Sequence, residues 1–401
     1  MMKPNFKNLI PKEEALEKIF NIWHPVSKTE TISINEAKGQ ILAEDIYAQY
    51  NFPMVRASRI DGIAVKSDQF ANGIPDTSNW KLGIDFIRAD TGDDFDDAFD
   101  SVIPIEQVTL LPDGGVTLTD DVKVEKGSNV KPQGTDIQKG TLAVPTNTLL
   151  SALDVTAIAM CGYTEILVIK KPIVAFVPTG SELIALGNEP SRGQRFDTNS
   201  IMVRQILEEY GATPLLHPIV KDDKASIEEA LNEMLPKADI VILNAGTSKG
   251  GEDYCVEILK ERGELIFSGV AAVPGRPMSV SMIDNKPVIN MSGPSFAAFY
   301  STDWMIQALV YKQLGINMPK RKTVQAKLTE KFTMPPFFSQ MARFQVKALE
   351  DGSYEATPLA FHGPKSAGEI GMMRANGLYI TSLGEQPHEA GEIITIELTK
   401  D

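Results

Sequence analysis

Ile173-Val174-Ala175-Phe176-Val177-Pro178-Thr179-Gly180-Ser181-Glu182 runs five consecutive apolar residues into a turn of small and hydroxylated ones. An uninterrupted apolar run of this length is the pattern of a strand buried on both faces, as in a parallel sheet covered by helices. The residues that follow extend the pattern. The segment 198–210 carries Val203, Ile206, Leu207 and Tyr210 on one stripe and stops at Gly211, which predicts a helix. A strand is expected over 215–220, near a sheet edge because Pro218 interrupts it. Ile227, Ala230, Leu231, Met234 and Leu235 recur at helical spacing. A strand at 239–244, a helix at 254–262 closed by Gly263, a strand at 288–291 and a long helix at 296–314 closed by Gly315 complete an α/β domain over 170–316.

The flanks read differently. A first helix is expected at 11–21, with Pro11 near its first position, and a second amphipathic piece from Ser33 or Asn35 through Ala37, Ile41 and Leu42. Over 50–139, short apolar runs at 63–65, 102–105 and 116–118 are punctuated by Gly, Pro, Asp and Asn, so a small strand-rich unit is expected. Beyond Pro319, the basic run Lys320, Arg321 and Lys322 reads as a solvated linker. The tail 317–401 alternates (Val324, Ala326, Leu328; Phe344, Val346, Ala348) and is expected to be a β-domain.

The 401 residues hold 53 Asp plus Glu against 39 Lys plus Arg, a formal charge of −14. Without a basic cluster, nucleic acid and anionic membranes are not expected partners. Four His and two Cys exclude a Cys-rich zinc site and a disulfide framework. No run of 18 apolar residues and no signal-peptide pattern is seen, so a soluble, cytoplasmic protein is expected.

In an open parallel sheet, ligands bind beyond the carboxyl ends of the strands. Three turns fall there. The first holds Thr179, Gly180, Ser181 and Glu182. The second runs Asn244-Ala245-Gly246-Thr247-Ser248-Lys249-Gly250-Gly251-Glu252-Asp253-Tyr254, and the third Asn290-Met291-Ser292-Gly293-Pro294-Ser295. Glycines admit a ligand close to the backbone, and free N–H groups at helix starts attract anions. Glu182, Asp253 and the pair Asp222-Asp223 are carboxylates suited to a hard cation such as Mg2+, with helix capping as the plainer role for the pair. Neither a Walker A motif nor a dinucleotide fingerprint nor a nucleophile elbow is present. His217 is expected to be a structural histidine inside a strand, and Cys161 and Cys255 to be buried and inert.

Several stretches resemble the molybdopterin molybdenumtransferases, the family of MoeA and the gephyrin E-domain. Ile60-Asp61-Gly62-Ile63-Ala64-Val65 is similar to the family's M-D-G-Y-A-V, Arg88-Ala89-Asp90-Thr91-Gly92 to R-I-M-T-G, and Gly134-Thr135-Asp136-Ile137 to G-E-D-I. Thr179-Gly180-Ser181-Glu182-Leu183 is similar to T-G-D-E-L, the 244–254 turn to G-G-V-S-V-G-x-x-D-Y, Pro274-Gly275-Arg276-Pro277 to P-G-K-P, and Ala375-Asn376-Gly377 to A-N-G. The resemblance implies a multidomain α/β plus β protein: an elongated linker and dimerisation domain from 1–49 and 140–169, a strand-rich insert, a MogA-like three-layer α/β molybdopterin-binding domain, and a C-terminal β-barrel-like domain. It also implies a homodimer that binds adenylylated molybdopterin and molybdate and inserts the metal with Mg2+-assisted release of AMP, alongside other molybdenum cofactor pathway proteins. Carried over by position, Asp61, Glu182 and Asp253 are the catalytic candidates, and Asp222 with Asp253 the metal candidates. Thr91, Asp136, Thr179, Gly180, Ser181, Gly246, Thr247, Ser248, Lys249, Pro274, Arg276, Ser295 and Ser366 are the candidates for substrate binding.

The sequence departs from the family where molybdate, a dianion, calls for cations. Gly269 and Val273 stand where the family carries two lysines before P-G-K-P. Each lost charge-assisted bond is worth roughly 1.5–3 kcal/mol. Lys249 and Arg276 are the candidate replacements, and Arg343 is the nearest match to the arginine of the family's β-tail. Two readings follow: a divergent transferase, or a paralogue that binds molybdopterin or serves as a scaffold without catalysis.

Overall fold

The computed structural model describes residues 9–112, 114–245, 254–360 and 366–399. They form two compact units, one of residues 29–169 and one of the chain before and after it.

In the 29–169 unit, strand Thr29–Ser33 pairs with Glu165–Ile169, which also pairs with Ile41–Leu42. The amphipathic piece expected from Ser33 is thus corrected: one short 3-10 turn, Ile34–Glu36, is all that is helical there. Leu42 pairs with Val168, and both enter a core with Ile46, Ile158 and Ile166. Cross-strand packing overrides the local period. A helix, Ala152–Met160, starts at a capping box in which Ser151 and Asp154 satisfy each other's backbone N–H groups. A second sheet places Gly62–Val65 between Phe86–Ala89 and Ser101–Pro104, all antiparallel. One face carries Ile63, Val65, Phe86 and Ile103, and the other Ala64, Ala89, Phe95 and Phe99. Gly62 is obligatory: a Cβ there would lie 1.9 Å from the Ile103 carbonyl oxygen.

The other unit is built on a six-stranded sheet, in the order Thr213–Leu216, Ile173–Thr179, Ile240–Ala245, Lys286–Ser292, Ser279–Ile283, Glu264–Ser268. The first four strands are parallel and the last two join antiparallel. Helices Lys224–Met234 and Tyr254–Arg262 cover one face through Ile227, Leu231, Met234, Ile258 and Leu259. Helix Asn199–Glu209 and the helical stretch 295–314 pack together on the other, giving three layers. Thr213–Leu216 is indeed an edge strand, but it ends before His217, which lies beyond the strand rather than inside it. Its Nδ1 lies 2.7 Å from the Pro218 carbonyl and its Nε2 3.5 Å from Glu233. Both cysteines are buried, and neither is in a disulfide.

The 295–314 stretch is not one α-helix. Ser295–Ser301 and Gln307–Leu314 are joined by a π-helical turn, Thr302–Ile306, whose residues are all buried. It holds Asp303, 3% exposed, against Arg321. Arg321 also bonds Glu397 at 3.1 Å, so the basic run is no solvated linker at its centre. Burial raises the Asp303 carboxyl, opposed by Arg321.

Strands Ser339–Ala348, Tyr354–Pro358, Thr323–Leu328, Ile393–Leu398 and Gly377–Ile380 pair in that order, and the last returns to the first to close a five-stranded barrel. Phe344, Ala326, Leu328, Ala356 and Ile396 fill it. Strand Ala272–Val273 runs parallel to Ser339–Gln340, and the N-terminal helix Lys12–Ile22 buries Ala15 and Ile19. No helix among the described residues is long and apolar enough to cross a membrane.

Candidate functional site

The parallel strands Ile173–Thr179, Ile240–Ala245 and Lys286–Ser292 end side by side, with Thr179 opposite Ala245 and Ala245 opposite Ser292. Their carboxyl ends are knitted by amides. Asn199, opening its helix, donates from Nδ2 to Asn244 Oδ1 at 2.8 Å and to the Gly293 carbonyl at 2.7 Å. Asn244 donates in turn to the Ser292 carbonyl at 2.9 Å. Thr179 is buried and donates to the Asn244 carbonyl at 3.3 Å. Thr198 and Ser295 bring their hydroxyls within 3.2 Å. Three strand ends far apart in sequence therefore meet at one crest. Beside it, the Ser292 hydroxyl and both ends of the Asn290 amide are buried without a partner among the described residues, and such groups cost about 1–3 kcal/mol each if left unsatisfied.

Around this crest the candidate residues take distinct roles. The Gly180 N–H donates to the Val220 carbonyl at 3.0 Å, and the Ser181 hydroxyl accepts from the Asp222 N–H at 3.4 Å, so the first turn is tied to the segment before helix Lys224–Met234. Asp223 caps that helix, accepting from the Ser226 N–H and hydroxyl at 2.9 Å. These bonds hold its carboxyl below the ordinary range. Glu182 and Arg276 are exposed, and Pro274 follows a cis peptide bond after Val273. The Ser366 hydroxyl accepts from the Gly368 N–H at 3.1 Å at the start of a short helix in the barrel unit. Gly246, Thr247, Ser248, Lys249 and Asp253 lie outside the described residues.

Arg343 faces inward. It is 3% exposed, donates to the carbonyls of Met372 and Ala375 and to the Thr399 hydroxyl, and packs 5.7 Å from the Phe299 ring centre. Burial lowers its guanidinium to about 10. It fixes the Gly368–Arg374 helix to the barrel. Gly269 takes φ +94, and a Cβ there would lie 2.7 Å from the Leu9 side chain. No long side chain fits that position without strain. Val273 is half-buried on an extended strand, where a longer residue is sterically reasonable.

In the 29–169 unit, the structure joins Asp61 and Thr91, which the sequence separates by thirty residues. Asp61 Oδ1 accepts from both the Thr91 N–H and its hydroxyl at 2.7 Å. The backbone bond first, then the hydroxyl, holds this exposed carboxyl below its ordinary range and hence ionised. Both bonds fall on one oxygen. Asp136 instead forms a separate ion pair with Lys131 at 2.6 Å. Among the described residues no cluster of three or more His, Cys, Asp or Glu side chains forms a metal site by itself.

The residues that sequence reasoning missed are Asn199, as the amide bridging two strand ends, and Thr198. The run Asp197-Thr198-Asn199 at a helix start carried only a capping signal, and Asp197 does accept from the Ser200 N–H at 3.0 Å.

Two family models match in succession: the MoeA N-terminal region (domain I and II) over residues 10–162, and the probable molybdopterin binding domain over residues 176–312. The molybdopterin molybdenumtransferase of Staphylococcus aureus strain COL is 28% identical over 411 residues, covering 98% of this chain and 96% of that protein. Its counterpart in a Staphylococcus epidermidis strain is 27% identical over 408 residues, with the same coverage of 98% and 96%. The crystal structure of a molybdopterin biosynthesis MoeA protein from Pyrococcus horikosii has the same fold, with a TM-score of 0.80 at 24% identity over 98% of this chain and 100% of that one. A MoeA N-terminal region and a probable molybdopterin binding domain thus stand in order along one chain, which over nearly its whole length is similar to the molybdopterin molybdenumtransferases and shares the fold of a MoeA protein.

Proposed function

We propose that this protein acts in molybdenum cofactor biosynthesis, inserting molybdate into adenylylated molybdopterin and releasing AMP. One observation carries the reading: Asp61 and Thr91, each in a stretch that resembles a family motif, meet as one ionised, oriented carboxylate. The crest supplies a separate set of groups within its own unit. Its glycine turns suit the approach of a pterin and its phosphate to the backbone, and the Asn290 amide, buried without a partner among the described residues, is a donor and an acceptor that a polar heterocycle would satisfy.

The residues fit Mg2+, which keeps most of its waters and asks for one or two carboxylates plus substrate phosphate. Asp61 presents an ionised carboxylate whose second oxygen is not used by Thr91, and Asp222 and Asp253 are the further candidates. Bound there, the cation would neutralise charge on the pyrophosphate as AMP departs. Thr91 orients Asp61, Glu182 stands exposed beside the first turn, and Arg276 offers an exposed cation toward the oxyanion.

A homodimer is the assembly this reading calls for, with the pterin delivered by other proteins of the pathway. Helix Ala152–Met160 supports it: Leu153 is 81% exposed and Met160 45%, while its one acidic residue, Asp154, is held in the capping box. An uncharged helix face of this kind suits a partner surface. Leu153→Glu should turn a dimer into a monomer in light scattering, and a dimer that persists excludes this face.

The non-catalytic reading is favoured by one observation, the glycine at φ +94 and the valine in the two lysine positions. Expression in a strain lacking the transferase separates the two. Restored molybdoenzyme activity, lost again with Asp61→Asn, supports catalysis. Folded protein without rescue supports a binding or scaffold role.

A further inference from the structure

At the opposite end of the sheet from the crest, where strands Ile173–Thr179, Ile240–Ala245 and Lys286–Ser292 begin, lies a pocket of about 100 Å³. Its charged lining is Lys28, Lys170, Lys171, Lys237, Lys286 and Asp239. In a chain with a formal charge of −14, this is a local reversal of sign. Asp239 is spoken for: it accepts from the Ile173 N–H at 2.9 Å and pairs with Lys28 at 3.1 Å. Lys237 pairs with Glu233 at 3.0 Å, and Lys286 is pinned by a 2.6 Å bond to the Leu235 carbonyl. Lys286 makes no ion pair among the described residues, and Lys170 and Lys171 make neither a side-chain hydrogen bond nor an ion pair among them.

Gathering like charges around a cleft is unfavourable in itself, and the cleft walls concentrate their combined field on whatever anion enters. Each ammonium offers up to three N–H donors but no shape preference, which suits a compact anion with many oxygens rather than a planar carboxylate. The volume admits one tetrahedral oxyanion and excludes a whole nucleotide.

We propose that this pocket binds a phosphate-type oxyanion, either free phosphate or the terminal phosphate of a phosphoester whose remainder stays outside. Lys28 and Lys170 are the residues where the chain leaves this unit and returns to it. The Lys170 N–H already donates to the Lys28 carbonyl at 2.8 Å. An anion shared by their ammoniums would bind the exit and the return together. The site is independent of the crest and of the reaction assigned to it.

Calorimetric titration of the full-length protein at low salt, with inorganic phosphate and separately with AMP, tests the assignment. The wild-type protein should bind one phosphate, more weakly as salt is raised. Lys170→Met/Lys171→Met should weaken it about tenfold or more with an unchanged melting curve, because neither side chain is fully buried, and Lys286→Met should weaken it in the same direction. AMP binding that the double variant loses along with phosphate assigns the source to a phosphoester. AMP binding that it keeps lies elsewhere and leaves free phosphate as the occupant. Absence of phosphate binding by the wild type, or equal binding by the double variant, overturns the proposal.

Discussion

Arg321→Met removes the partner of a carboxylate that has nowhere else to turn. Asp303 is 3% exposed and Arg321 27%. Breaking a buried ion pair from one side costs ~3–5 kcal/mol, and because water reaches part of Arg321 the lower end is expected, ~3 kcal/mol or about a hundredfold in the folding equilibrium. The pH dependence makes the test specific. Burial already raises the Asp303 carboxyl from its ordinary 3.8, and Arg321 opposes the rise. Without the guanidinium the carboxyl climbs further. A carboxyl whose folded value exceeds its unfolded one contributes stability below the unfolded value and loses it as pH rises through the folded one. The deficit of the variant should therefore grow from acid toward neutral pH. Urea unfolding followed by tryptophan fluorescence in a Trp80→Phe background leaves Trp23 and Trp304, both in the unit that holds the pair. Arg321→Met/Asp303→Leu should recover much of the loss, since no charge is then stranded. A deficit below ~1 kcal/mol, or one equal at about pH 5 and about pH 8, would refute the reasoning.

Three further outcomes are expected. Thr91→Val removes the hydroxyl bond to Asp61 Oδ1 and leaves the backbone one, letting the carboxyl rise part of the way toward its ordinary value; Mg2+ should bind about tenfold more weakly, and the acid limb of AMP release should move to higher pH. Val273→Lys should tighten molybdate binding roughly tenfold to a hundredfold, the worth of one charge-assisted bond, whereas Gly269→Lys should cost about 1–3 kcal/mol of stability because φ is +94 and Leu9 is in the way. In the barrel, His388 bonds Glu385 at 2.9 Å and Glu392 at 3.0 Å, and although burial works against it these bonds raise the imidazole above its ordinary 6.5. Its stabilisation is complete below that value and fades as pH rises through the folded one, so His388→Gln should flatten the loss of barrel stability seen by urea titration above about pH 6.5.

The α/β fold was legible because its central strand is apolar without interruption and its helices carry clean stripes, so period alone separates them. What escaped reading shares one physical cause. Ser279 and Ser281 look like loop residues, yet they sit inside an antiparallel strand because Ser281 donates to the Leu259 carbonyl at 2.9 Å and Ser279 to the Ser268 hydroxyl at 3.0 Å. Arg321 looked like linker and Asn199 like a cap, and each is held by a partner far along the chain. A polar side chain whose bonds are satisfied inside the fold is indistinguishable, in sequence, from one satisfied by water. The same ambiguity governs the site. Asp61 and Thr91 were legible as candidates only through motif resemblance, since no local period links residues thirty apart. Asn290, whose buried amide has neither end bonded among the described residues, had no local signal of its own. Replacing it with an apolar residue of similar size should therefore cost ligand affinity before it costs stability.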